Sequence, residues 1–129
     1  MKKKRILVVD DEAQMVDLVK VLLDASGYEV LTALDGQEAL EIAQTKMPNL
    51  IVLDVMLPKI NGYKICRLLK YDKRYKHIPI IMFTARAQDK DEETGMEAGA
   101  DFYLKKPYEP QVLLDKIKEY LDKSDEDKR

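Results

Sequence analysis

The sequence is poor in several residues that would announce a function. It holds one cysteine, Cys66, so no internal disulfide can form. Cys66 lies in an apolar helical stretch, where a buried small side chain is expected rather than a ligand or nucleophile. A reducing compartment, the cytoplasm, fits that usage. The single histidine, His77, has no recognisable metal-ligand partner in the sequence. Charge of one sign is also lacking: the formal net charge is −2, which gives no basic bias toward nucleic acid. No stretch approaches the roughly 18 continuous apolar residues of a membrane span. The opening "MKKKRILVVDDE" has a charged start, but its apolar run covers only residues 6–9, too short for a secretory core, so no export signal is expected. Neither a glycine-rich phosphate loop nor a P-loop pattern occurs, and there is no internal repeat or low-complexity block.

What is present is a chain of 129 residues, 46% hydrophobic and 36% charged, which suits one globular domain with a real core. That domain is expected over residues 1–121, with 122–129 as a charged, frayed C-terminal tail. Short apolar runs without alternation (6–9, 50–53, 80–83) take turns with stretches of helical spacing. Continuous apolar runs suit strands buried on both faces, as in a parallel sheet. The first helix places Met15, Leu18, Val19, Leu22 and Leu23 on one face and ends at Gly27. Residues 28–33 read as a strand toward an edge. A second helix starts at Asp35, which forms a capping box with Glu38, turns Ala39, Leu40 and Ala43 inward and stops at Pro48. A third helix covers 61–70 and a fourth, weakly anchored, covers 88–98. A fifth strand over 101–104 leads to a last helix opened by Pro110, with Leu113, Leu114, Ile117 and Leu121 facing the core. Five strands alternating with five helices predict an α/β fold with an open parallel sheet, doubly wound, in a single domain.

In such a sheet the C-terminal strand ends share one edge, and ligands bind there. That edge gathers Asp10 and Asp11 after the first strand, Asp54 after the third, Thr84 after the fourth, and Lys105 and Lys106 after the fifth. The plain alternative for each is a polar strand end or a helix cap, as Asp11 with Gln14 would be. Three carboxylates together are harder to account for that way, because they repel and need a cation or raised pKa values to coexist. Magnesium answers the charge problem, since it takes one or two protein carboxylates and completes its shell with water and phosphate oxygens. A carboxylate can also attack a phosphoryl group to form an aspartyl phosphate, and Asp54, on the central strand, holds the position for it.

Four segments, "ILVVDDE" (6–12), "LIVLDVMLPKING" (50–62), "IIMFTAR" (80–86) and "AGADFYLKKPY" (98–108), resemble the signatures of response-regulator receiver domains of two-component signalling, in order and over residues 5–121. The resemblance implies a flavodoxin-like sheet of order 2-1-3-4-5 and Asp54 as phosphoacceptor, fed by a sensor histidine kinase or phosphotransfer protein. It implies Mg2+ held by Asp10, Asp11, Asp54 and the backbone carbonyl of Met56. Lys106 matches the phosphate-binding lysine, with Lys105 a solvent-exposed neighbour. Thr84 matches the switch hydroxyl, Ala85 the small residue beside it and Tyr103 the switch aromatic, and the Lys106–Pro107 bond would be cis. The output would be read at the face of the fourth helix, fifth strand and fifth helix; a stand-alone regulator acting on a downstream protein is expected, with the receiver part of a DNA-binding regulator, its effector domain missing, as the alternative. A monomer, or a dimer formed on activation, is expected, acting as a phosphoacceptor switch with no external substrate to turn over.

Two other readings fit less well. A haloacid-dehalogenase-like phosphohydrolase also uses an aspartate nucleophile with magnesium, but usually carries a second aspartate two residues on, where this chain has Met56. A flavodoxin-like cofactor binder would need its flavin phosphate to meet an acidic rim. The basic loop 70–77 has aromatics between its cations, yet it precedes a strand and is expected at the edge opposite the rim, as a solvated loop.

Overall fold

The computed structural model describes residues 3–84 and 98–127; for Thr84 and Asp127 it describes the backbone alone. The expected helix over 88–98 and the position of Ala85 lie outside the described residues. No helix among the described residues is long and apolar enough to cross a membrane.

The apolar runs form strands: β1 is Arg5–Val9, β2 Glu29–Ala33, β3 Leu50–Asp54, β4 Ile80–Thr84 and β5 Phe102–Lys105. All pair in parallel in the order β2-β1-β3-β4-β5, the expected one. The lack of alternation in β1 and β3 has a direct cause. Leu7, Val9, Ile51 and Leu53 point into a cluster with Ala39 and Ala43 of α2 (Gly36–Lys46) and Ile65, Cys66 and Leu69 of α3 (Gly62–Lys70). Ile6, Val8, Leu50 and Val52 point the other way, against Val19 and Leu23 of α1 (Ala13–Ala25) and Leu113, Ile117 and Leu121 of the C-terminal helix (Pro110–Asp127). Each Val, Leu or Ile among them, fully buried, contributes on the order of 1.5–3 kcal/mol.

Three local expectations change. In α1 the inward residues are Val16, Val19 and Leu23, whereas Leu18 is 66% exposed. The fifth strand begins one residue later than expected, because the Asp101 carboxylate serves the layer below: it accepts from Ile80 N at 2.8 Å and pairs with Lys70 Nζ at 2.9 Å. The C-terminal helix continues through Asp127 instead of fraying after 121, and Lys4 Nζ meets Asp125 Oδ1 at 2.9 Å.

Candidate functional site

β1 and β3 are paired with Val9 opposite Leu53, so Asp10 and Asp54 follow each other's neighbours at one edge of the sheet. Both carboxylates are buried, Asp10 completely and Asp54 with 6% exposure. Backbone donors hold each in place: Glu12 N–H donates to Asp10 Oδ1 at 3.0 Å and Met56 N–H to Asp54 Oδ1 at 3.2 Å. Lys106, just past β5, reaches across and places its Nζ 3.1 Å from Asp10 Oδ2. The strand ends thus bring together three of the sequence-predicted residues, Asp10, Asp54 and Lys106. Asp11 stands beside them but exposed, and Lys105 points to solvent.

The loop from β3 to α3 is shaped by close approaches. Gly62 N–H donates to Val55 O at 3.0 Å, and a Cβ on Gly62 would lie 2.3 Å from Asp54 O, so only glycine allows α3 to start here. Asn61 caps that helix, accepting from Lys64 N at 3.0 Å. Gly36, at the start of α2, is equally constrained: its Cβ would fall 2.0 Å from Ile60 O. Lys59, at φ 68°, extends to Asp35 Oδ2 at 3.3 Å. The loop after Asp54 is therefore braced against the loop after β2. Asp35 caps α2 as expected, accepting from Glu38 N at 2.8 Å, although Glu38 reaches back to Leu34 N–H and not to that of Asp35.

The cap reading of Asp11 is not what is found. Glu12 is the N-cap of α1 and no side chain caps that helix, which leaves Asp11 without a capping role. Asp10, Asp11 and Glu12 offer carboxylate oxygens within 4.8 Å of one another, a set able to hold a cation. Sequence reasoning named the first two and missed Glu12, although it is the next residue of the same acidic run.

The electrostatics follow from burial. Loss of water, then the nearby Asp10 carboxylate, pushes the Asp54 carboxyl up to about 6, against the opposing pull of Lys106 and the Met56 N–H. One ammonium does not balance two buried carboxylates, so the donor set fits a hard divalent cation such as Mg2+. Burial and then the charge of Asp10 also raise the Tyr108 hydroxyl. Cys66, by contrast, is wholly buried, and burial pushes its thiol up to about 12, which makes it inert.

Of the other expected site residues, Met56 follows Asp54 with its side chain half exposed, and Tyr103 is buried in the cluster that contains Leu53 and Val55. Thr84 closes β4, its backbone in register with Lys105, and its side chain lies outside the description. The Lys106–Pro107 bond is cis. The basic loop 70–77 precedes β4, at the edge opposite the rim. It is not purely solvated, because Tyr75 is buried in the core.

Beside the rim runs an apolar groove that periodicity did not reveal. Leu18, Val21 and Leu22 of α1 line it together with Lys106, Pro107, Tyr108 and Pro110. Leu18 and Val21 are 66% and 69% exposed.

Strand order 2-1-3-4-5 with buried carboxylates at the C-terminal ends of the first and third strands defines a doubly wound, flavodoxin-like domain with an acidic rim. The chain belongs to the response regulator receiver domain family, whose profile matches residues 6–118. It is 47% identical over 122 residues to the alkaline phosphatase synthesis transcriptional regulatory protein PhoP of Bacillus subtilis, covering 95% of this chain and 50% of that protein. It is 40% identical over 121 residues to the DNA-binding dual master transcriptional regulator RpaA of a Synechocystis species, covering 94% of this chain and 50% of that one. The chain thus spans about half the length of these curated relatives. Among solved structures it is similar to a CheY-like response regulator receiver domain protein of Methanospirillum hungatei, with TM-score 0.91, 35% identity, and coverage of 98% of this chain and 99% of that one.

Proposed function

We propose that Asp54 accepts a phosphoryl group from a phosphohistidine on a sensor kinase or phosphotransfer protein, and that this switches an output. The observation that carries the reading is the buried Asp10–Asp54 pair, with its raised Asp54 pKa and one ammonium beside it. Such a pair is poorly balanced by the protein alone.

In the reaction a carboxylate oxygen of Asp54 attacks phosphorus as the donor P–N bond breaks, and the electron pair of that bond leaves with the imidazole. Asp10, Asp11 and Asp54 would hold Mg2+, with the Met56 carbonyl as a further ligand. When bound, the ion offsets the charge shared between these carboxylates and the phosphoryl oxygens. Lys106 supplies a second positive charge, which shifts from Asp10 toward the phosphoryl oxygens as charge grows there. Thr84 would meet the phosphoryl group from the end of β4. Phosphorylation adds about 1.5–2 negative charges, and partners gained by Thr84 and Lys106 only in that state bias β5, Tyr103 and the C-terminal helix toward the signalling form. Met56, two residues past the nucleophile, offers no acid or base for turnover of external phosphoesters. The protein therefore acts as a phosphoacceptor switch and not as an enzyme with an external substrate.

The phosphodonor protein approaches over the apolar groove, because Lys106, which pairs with Asp10 at the rim, is one of the residues that line it. The output partner is a downstream protein or a DNA-binding domain, as the names of the relatives suggest, and the setting is the cytoplasm.

The test is the intact mass of the protein after incubation with a small acyl-phosphate donor, with and without Mg2+. A Mg2+-dependent phosphoryl adduct, absent from Asp54→Asn, is expected. An adduct that survives this substitution refutes Asp54 as the acceptor.

A further inference from the structure

The ammonium of Lys106 touches a second group besides Asp10. It stands over the ring of Phe83, 4.5 Å from the centroid. Phe83 is buried, with 1% exposure, and faces the cluster of α1 and the C-terminal helix. The ring of Tyr108 packs against it at 87°, with centroids 6.3 Å apart, and so fixes its tilt. The backbone of Phe83 is tied to the acceptor as well. It is in register with Asp54 across the β3–β4 pair, and its carbonyl accepts from Val55 N–H at 3.2 Å.

These contacts answer a problem the rim poses. A lysine that pairs only with Asp10 would be drawn to the bottom of the pocket, and its four-carbon stem would sample many rotamers. An ion pair fixes the ammonium along one line. A ring face attracts a cation over a broad area, so the ammonium can slide across it without losing the interaction. Because the ring lies beside the acceptor strand, such a slide carries charge between Asp10 and Asp54.

We infer that Phe83 is a positioning residue for Lys106: its ring face holds the ammonium at the rim and guides it from Asp10 to the phosphoryl group. This rests on the acceptor reading of Asp54 for its consequence, but the contact itself does not. Phe83 touches no reacting atom. It acts through the lysine alone.

The experiment compares the native chain with Phe83→Leu, which removes the ring but keeps an apolar side chain, and with a trifluorinated phenylalanine at position 83. The fluorinated ring keeps the shape and weakens the attraction for a cation. Each is made with Lys106 intact and with Lys106→Ala. By NMR, the ε-methylene protons of Lys106 are expected upfield in the native chain, relative to Phe83→Leu. The rate of phosphorylation by a small acyl phosphate is expected to fall roughly thirtyfold in Phe83→Leu, the scale of one desolvated cation–π contact, and by an intermediate factor with the fluorinated ring. In the Lys106→Ala background neither change should lower the rate further. Equal losses in both backgrounds, or a fluorinated chain with native rate, overturn the inference, because the ring would then act only by packing. A chain that takes no phosphoryl group refutes the acceptor reading instead. The Lys106 shift and a denaturation cycle between positions 83 and 106 then decide the contact, with additivity and an unshifted resonance overturning it.

Discussion

The two edges of the sheet use the same parts to opposite ends. At the edge before β4 and β5, the Asp101 carboxylate accepts from Ile80 N and from Lys70 Nζ, and Lys70 also donates to Ile78 O at 3.1 Å. One acid meets one base, and the backbone uses what remains. At the other edge Asp54 meets a second carboxylate, one backbone N–H at 3.2 Å and an ammonium whose short contact is with Asp10. The first arrangement fastens α3 to the start of β4 and β5. The second leaves negative charge unmatched inside the protein, a state that is unfavourable until a cation arrives. A strand-end aspartate therefore reads as structural or chemical according to whether its neighbours complete it.

The sharpest way to test that contrast is to remove one carboxylate from each edge. Asp54→Asn is expected to abolish the phosphoryl adduct, while Asp101→Asn retains it, as intact mass would show. Comparable loss in both would mean that Asp101 reaches the chemistry. Next in size, charging the groove that borders the rim, by Leu18→Glu with Val21→Glu, should slow transfer from the partner kinase by about tenfold or more, the effect of losing one strong anchor. Transfer from a small acyl phosphate should be unchanged, so a loss with both donors would place the defect in folding or chemistry.

Stability should move in opposite directions at the two edges. Asp101→Ala leaves Lys70 half-buried beside an empty position and is expected to lower unfolding stability by about 1–3 kcal/mol in a denaturant titration. Asp54→Asn, without metal, should raise it at neutral pH by about 1–2 kcal/mol. The sign follows from the raised pKa. Between about pH 4 and about 6 the native state keeps a proton on Asp54 that the unfolded chain releases. The favourable contribution is whole below the ordinary carboxylate range and is lost as pH rises through about 6. The advantage of the asparagine should therefore shrink toward zero as pH falls to about 4, and a constant advantage would contradict the assigned burial. Smallest of all, Lys4→Ala breaks an exposed pair with Asp125 and should change stability by about 0.5 kcal/mol or less.

Much of this was legible in the chain. Runs such as 50–53 suit strands covered on both sides, and a parallel sheet then gathers Asp10, Asp11, Asp54, Thr84, Lys105 and Lys106 at one edge without any knowledge of distances, while the choice of Lys106 over Lys105 comes from the family resemblance. The orientation of α1 was not legible. Its apolar residues occupy positions 15, 16, 18, 19, 21, 22 and 23, which circle much of the helix, so that spacing supports two faces equally. The face with Leu18 fits the helical period, yet it borders the rim groove, and Val16 goes to the core. Phe83 was counted as a strand residue because nothing in sequence links it to Lys106, twenty-three positions on; only the closing of β4 on β5 sets the ring beneath the ammonium. The capping alternative for Asp11 failed because Asp10 turns back onto the Glu12 N–H and moves the start of the helix one residue along.

The C-terminal helix carries a mechanical consequence. It starts at Pro110, against the groove beside Lys106, and its far turns reach the opposite edge, where Asp125 meets Lys4. At 1.5 Å per residue it is a rod about 27 Å long. A rotation of about 5° about the rim end would move the far end by about 2 Å, enough to part a 2.9 Å ion pair. The helix is then a pointer hinged at the rim, which turns a small rotation there into a displacement at the surface, where a weak latch holds it.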